Sequence, residues 1–374
     1  MPDATVLETA PSLDLTQDVV TLTAAVCDIP SVSLDEARLA DAIEAALGSL
    51  PHLTLTRLGN TVVARTSLGR AERVVLAGHI DTVPVTVEPD TREPTNLPTR
   101  RVGDGEGESL VGRGTVDMKG GVAVQLRIAH TLTEPNRDIT FVFYEGEEID
   151  SRFNGLLHLE QQRPELISDA DFAVLLEPTS AAVEGGCKGT LRVEVTTTGV
   201  AAHSARPWKG HNAIHDAAEI LARLTAYRPQ THVVDGLEFR EALSAVLITG
   251  GTATNVIPDR CTVTVNYRYA PSLSPADAEA HVREVFEGFE VTVTDNAGGA
   301  RPGLHLPAAQ AFVAALGVPV EAKQGWTDVA RFSAMGVPAV NFGPGDPNLA
   351  HMDDERAPVR DYVACEAALL RWLA

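Results

Sequence analysis

The sequence predicts an α/β protein with a smaller module inserted into it, on three observations. Apolar runs of strand length alternate with amphipathic helical stretches through the first half and again near the end. Between residues 190 and 296 the order becomes β-α-β-β-α-β, that of a ferredoxin-like split βαβ unit. At 374 residues the chain is long enough for two cores. The expected domains are therefore 1–189 and 297–374, forming one body around a mainly parallel central sheet flanked by helices, and 190–296 as the insertion.

Amphipathic helices are expected near 15–27 and 34–50. After Pro51 the pattern turns to strands at 53–58, 62–66 and 74–77. Segment 88–114, rich in Gly, Pro and Asp, reads as loop. Its glycines at 103, 105 and 107 lack the G-x-G-x-x-G spacing and follow no strand, which argues against a nucleotide site. Helix 119–133, strand 139–144, helix 155–163 and strand 172–176 complete the first α/β part. In the module, strand 191–198 precedes helix 212–227, whose Ile214, Ala217, Leu221 and Leu224 share a face. Strands 245–249 and 262–269 follow, then a helix from Pro275 to 287 with Ser274 as N-cap, then strand 289–294. In strand 262–269 the residues Val263, Val265, Tyr267 and Tyr269 face one way, and Thr264, Asn266 and Arg268 the other. Strand 339–342 and a last helix, 362–373, resume the α/β pattern.

Fifty-one acidic against thirty basic residues give a net charge of −21, which argues against nucleic acid or an anionic membrane surface as a partner. An anionic substrate must then be drawn in by metal ions or by individual cationic side chains. No apolar run approaches the roughly 20 residues of a spanning helix. Residues 1–18 contain no Lys or Arg, unlike the start of a signal peptide, so a soluble cytoplasmic protein is expected. The four cysteines (Cys27, Cys187, Cys261 and Cys365) form no Cys-x-x-Cys pair and read as reduced, mostly buried thiols.

Polar residues recur where apolar strands end. His79 and Asp81 follow strand 74–77 in Gly78-His79-Ile80-Asp81-Thr82-Val83-Pro84, a spacing that suits a metal ligand and its orienting carboxylate. Asp117, in Gly112-Arg113-Gly114-Thr115-Val116-Asp117-Met118-Lys119-Gly120, precedes a helix and fits either a ligand or an N-cap. Glu145, Glu147 and Glu148 crowd the end of strand 139–144 and repel one another unless cations are present. Glu177 follows the apolar run 172–176, at the strand end where open α/β sheets place their sites. His351 lies in the Gly/Pro-rich loop after strand 339–342. Together they supply the mixed imidazole and carboxylate set expected for paired zinc ions.

With these motifs the chain resembles the M20 metallopeptidases over essentially its full length, with the inserted module as their lid and dimerisation domain. The resemblance implies two zinc ions per subunit, with cobalt able to substitute. One ion would be held by His79 and Glu177, the other by Glu148 and His351, with Asp117 bridging. Glu147 would be the general acid/base and Asp81 would orient His79. His203, in Gly199-Val200-Ala201-Ala202-His203-Ser204, matches the family's lid histidine, which donates to the oxyanion and is often supplied across a homodimer. Arg268, Asn255, Lys188, Thr327 and Asp328 match substrate-side positions. Within the family, segments 325–332 and 342–355 are most similar to the actinobacterial-type succinyl-diaminopimelate desuccinylases. The implied reaction is hydrolysis of N-succinyl-LL-2,6-diaminopimelate. Cys187-Lys188 stands where many such enzymes carry Arg-Arg, so acetylornithine deacetylase, aminoacylase or dipeptidase activity stays open, as does an inactive binding protein of the same fold.

Overall fold

Seven consecutive buried residues, Asp138–Tyr144, form an inner strand of an eight-stranded sheet. A strand buried along its whole length is covered on both faces, which is why its sequence reads as an apolar run and not as an alternation. The computed structural model describes residues 11–374, so the sequence reading of residues 1–18 falls partly outside the described residues. The sheet order is Thr54–Leu58, Thr61–Arg65, Asp138–Tyr144, Arg73–His79, Phe172–Leu175, Ala339–Asn341, Val183–Gly185, Val320–Ala322.

The sheet is mixed: its central strands are parallel, and one edge, not foreseen from the sequence, is antiparallel. Asp138–Tyr144, Arg73–His79, Phe172–Leu175 and Ala339–Asn341 pair in parallel. Thr54–Leu58 and Thr61–Arg65 run antiparallel to each other, and the latter runs antiparallel to Asp138–Tyr144. The cause is local. Only Gly59 and Asn60 join the first two strands, and Gly59 sits at φ 61°; so short a connection permits only a hairpin. Segment 88–114 is also less irregular than its composition implies. Arg100–Val102 and Ser109–Val111 form a three-stranded sheet with Arg356–Pro358.

The chain divides into two compact units. The first comprises Met1–Glu184, Gly303–Glu321 and Arg331–Ala374. Its helices Val19–Cys27, Lys119–Thr131 and Val359–Leu373 pack on one another. Their apolar faces, with Leu22, Val122, Leu126 and Leu369, join Phe172, Phe312 and Trp372 in one core. Each large apolar side chain so buried contributes about 1.5–3 kcal/mol. A Cβ on Gly121 would lie 2.2 Å from the Leu176 carbonyl oxygen, and one on Gly343 would lie 2.4 Å from the same atom. Glycine at both positions lets the helix after Asp117 and the loop before His351 close on the strand end that carries Glu177.

The second unit comprises Gly185–Pro302 and Ala322–Ala330, wider than the 190–296 module read from the sequence. Its four-stranded sheet has the order Ala242–Gly250, Arg260–Tyr269, Gly189–Thr198, Glu290–Ala297, with every pair antiparallel. Helices Ala213–Ala226 and Pro275–Val285 pack on one face, with Ala217, Ile220 and Val282 against Val193, Val263, Val265 and Tyr267. Ser274 and Asp277 cap the second helix reciprocally. Two ribbons that sequence patterning did not reveal are added, Ala202–His203 with Val256–Ile257 and Thr231–Val234 with Leu237–Arg240. All four cysteines are free and buried. No helix among the described residues is long and apolar enough to cross a membrane.

Candidate metal centre

The strand Arg73–His79 delivers a buried imidazole to the end of the sheet. His79 Nε2 lies 3.0 Å from Asp117 Oδ1. On the other side of that carboxylate, His351 Nε2 lies 3.3 Å from Asp117 Oδ2. Each Asp117 oxygen therefore faces a different imidazole. His351 Nε2 is also 3.0 Å from Glu148 Oε2. One ligand atom each from His79, Asp117 and Glu148 fall within 4.8 Å of one another. Asp117 forms no side-chain cap on helix Lys119–Thr131, whose N-cap is Met118, so its carboxylate serves this cluster.

The electrostatics favour positive charge in the middle of the group. His351 is pushed up to about 10 by its hydrogen bonds to Asp117 and Glu148. Burial alone would lower His79, but hydrogen bonds to Asp117 and Asp81 hold it well above the ordinary imidazole value. Burial would raise Asp117, yet bonds from His351 and His79 hold it below the usual carboxylate range. Glu148 is pushed up by its burial. Two imidazole nitrogens aimed at two carboxylates form a donor set that fits a divalent transition metal such as zinc.

Asp81 is fully buried, and its carboxylate does more than face His79. His79 Nδ1 is 3.0 Å from the Asp81 carbonyl oxygen and 3.5 Å from Oδ1. Oδ1 accepts the Glu147 backbone N–H and Oδ2 accepts that of Glu148, each at 3.1 Å. Ser33 Oγ donates to Oδ2 at 2.7 Å. Glu177 is buried two residues past the strand Phe172–Leu175, next in the sheet to the strand bearing His79.

Two further features hold the loops. Thr179 Oγ1 donates to the Ala182 carbonyl at 2.6 Å and accepts the Gly343 N–H at 3.1 Å, joining the Glu177 loop to the one that leads to His351. Ser180 and Ala181 adopt φ values of 54° and 59°, and His351 one of 64°. Such left-handed positions cost a non-glycine residue of order 1–3 kcal/mol and persist where surroundings over-determine them. Sequence reasoning missed Ser33 and Thr179. Each is one hydroxyl among many, and no local periodicity distinguishes it.

The remaining expected residues belong to the second unit. His203 is exposed, and its Nδ1 accepts the Ala205 N–H at 3.1 Å, so the neutral ring carries its proton on Nε2. Asn255 lies in an exposed turn whose carbonyl accepts the Ser204 N–H at 2.9 Å. Arg268 is half-buried beside Asn266 and Thr264 on the polar face of the sheet; its side chain makes no ion pair among the described residues. Burial, with the neighbouring Arg192 charge, lowers its pKa. Lys188 is buried and donates from Nζ to the Arg240 carbonyl at 2.7 Å; burial, then Arg268 and Arg240, lower its pKa. Thr327 and Asp328 are both buried.

Known proteins agree with this architecture. A protein of Corynebacterium glutamicum named succinyl-diaminopimelate desuccinylase is 45% identical over 378 residues, covering 98% of this chain and 99% of its own. One of Mycobacterium tuberculosis, whose name proposes the same activity, is 53% identical over 364 residues, covering 96% and 99%. Among solved structures, a tripeptidase from Staphylococcus aureus aligns with a TM-score of 0.75 at 20% identity, covering 96% of this chain and 98% of its own. The aminopeptidase PepT of Bacillus cereus aligns with a TM-score of 0.73 at 18% identity over the same shares, and at such identities both likenesses concern the fold. Residues 75–374 match the sequence pattern of peptidase family M20/M25/M40, and the chain belongs to that family.

Proposed function

We propose that this chain is a metal-dependent amidohydrolase that converts N-succinyl-LL-2,6-diaminopimelate and water to succinate and LL-2,6-diaminopimelate. The observation that carries the reaction type is Asp117 set between His79 and His351, with Glu148 beside it. The substrate rests on relatives of that name at 45% and 53% identity over nearly the whole chain.

In this reading His79 with Glu177 and His351 with Glu148 would hold two zinc ions, replaceable by cobalt, with Asp117 as the ligand shared between the two sites. Ions bound there supply Lewis acidity toward the amide carbonyl and acidify the attacking water. Glu147 takes the proton from that water and returns it to the leaving nitrogen. Its backbone N–H is held by the Asp81 carboxylate, which fixes the peptide that presents it. His203 donates from Nε2 to the oxyanion, the tautomer that its bond from Ala205 favours. Arg268 pairs with a substrate carboxylate, and Lys188, Asn255, Thr327 and Asp328 complete that side. The Lys188 ammonium has donors to spare beyond its bond to Arg240.

The second unit would also join two copies into a homodimer. Ala242–Gly250 is an edge strand, and Val246, Leu247 and Ile248 on it are 58%, 59% and 49% exposed. An apolar edge with free N–H and C=O groups invites strand pairing. We place the enzyme in the cytoplasm, where this precursor chemistry belongs. A panel of N-succinyl, N-acetyl and dipeptide substrates, assayed for amine release with and without chelator, tests the reading. Cleavage of dipeptides alone would sink it.

A further inference from the structure

Glu355 is a fully buried carboxylate that the proposed chemistry does not use. Its Oε1 accepts three backbone N–H groups: Gly114 at 3.0 Å, Val116 at 2.9 Å and Asp117 at 3.1 Å. Its Oε2 accepts Arg113 Nη1 at 2.6 Å, and its own carbonyl accepts the Gly112 N–H at 2.9 Å. Every one of these donors lies in the six-residue loop that ends on Asp117. The loop can wrap the anion because Gly114 takes φ 84°, which lets neighbouring N–H groups converge on one point. The chain that carries Glu355 holds His351 four residues earlier, in the left-handed backbone position already described. Arg356–Pro358, directly after Glu355, pairs with Ser109–Val111, directly before the loop, and so closes the segment from the other side.

From this geometry we infer that Glu355 is a positioning residue of the metal centre, a buried anion that fixes Asp117 and His351 against each other. The inference rests on the reading that these two residues hold metal. Asp117 is constrained at both ends. Its N–H is tied to Glu355, and its carboxylate faces His79 and His351. Removing the negative charge leaves three converging N–H groups and the Arg113 guanidinium without their counter-charge inside the protein. The loop relieves that cost by moving, and movement of the loop moves the ligand. Groups that orient metal ligands typically change metal affinity about 10–100-fold when altered.

The test is zinc binding, measured by competition with a chromophoric chelator, on the full chain and on Glu355→Gln. Asp138→Asn serves as a control. It breaks a comparable buried carboxylate that accepts the N–H groups of Leu68 and Arg70, at the end of its strand remote from Glu147 and Glu148. Glu355→Gln is expected to weaken zinc binding about 10–100-fold and to shrink the rise in unfolding temperature that zinc produces. Asp138→Asn should lower the unfolding temperature with zinc affinity unchanged. If Glu355→Gln behaves like that control, Glu355 is only structural and the inference is overturned. Should Glu355→Gln fail to fold, Glu355→Asp, which keeps the charge on a shorter arm, is read in its place. It is expected to bind zinc several-fold more weakly, and wild-type affinity there would also overturn the inference. A wild-type chain that bound no zinc would instead remove the metal centre itself, and the positioning role with it.

Discussion

The Asp81 carboxylate holds Glu148 by its backbone, Oδ2 accepting the Glu148 N–H at 3.1 Å, while Oδ1 does the same for Glu147. The residue two positions after the buried His79 thus fixes the peptide that bears both the proposed ligand and the proposed proton carrier. Asp81→Asn keeps the size but turns one acceptor into a donor facing an N–H. Activity is expected to fall about 10–100-fold with altered metal affinity, checked by steady-state kinetics beside metal titration. Unchanged values for both would remove Asp81 from this role.

Glu147→Gln should retain metal near the wild-type content, because the proposed ligands are Glu148 and its partners. Turnover should drop by about 10²–10⁴-fold, the usual worth of a positioned acid/base. Metal analysis and kcat on one preparation decide this, and full activity would refute the role.

His203→Ala should lower kcat with little loss of metal, by up to the roughly 10²–10³-fold expected for one oxyanion donor. An unchanged kcat would count against Nε2 as that donor. The bond from the Ala205 N–H to Nδ1 also predicts that His203→Gln restores part of the activity, since a Gln amide can still donate.

Leu247→Lys on the exposed edge strand should convert the proposed homodimer to monomer, read by sedimentation velocity. A wild-type chain that sediments as a monomer would withdraw the dimer proposal.

Stability should carry the imprint of Asp138 in acid. Burial opposes its ionisation, but bonds from Leu68 N–H, Thr66 Oγ1 and Arg70 N–H outweigh it and hold its pKa below the ordinary value. A folded pKa below the unfolded value of about 3.9 means that the stabilisation is present above that value and is lost as pH falls through the folded one. Asp138→Asn should therefore cost on the order of 2 kcal/mol at pH 7, with the deficit shrinking as the pH drops below about 4. Urea midpoints at pH 7 and pH 3.5 measure it, and a deficit independent of pH would contradict the sign.

The strand ends were legible because burial writes itself into sequence. Apolar runs stop abruptly at His79, Glu145 and Glu177, and the polar residues that follow stand out against them. Asp117 could not be resolved from sequence alone, since a carboxylate before a helix serves as a cap as readily as a ligand; the structure shows no side-chain cap there and sets two imidazoles beside the carboxylate. The antiparallel edge escaped notice because one short connection, Gly59-Asn60, fixes strand direction while leaving the apolar pattern untouched. Glu355, Ser33 and Thr179 were illegible for a different reason. Their partners lie 238, 48 and 164 positions away in sequence, and no local pattern encodes such pairings. The ribbon Thr231–Val234 with Leu237–Arg240 was missed because its strands are short and half-exposed, with little periodicity to read.

The most direct test of the central claim is release of succinate from N-succinyl-LL-2,6-diaminopimelate by zinc-loaded protein, with N-acetylornithine in parallel. The account predicts preferential desuccinylation that disappears with chelation and returns with zinc. Zinc bound at the centre with neither substrate cleaved would contradict the proposed activity.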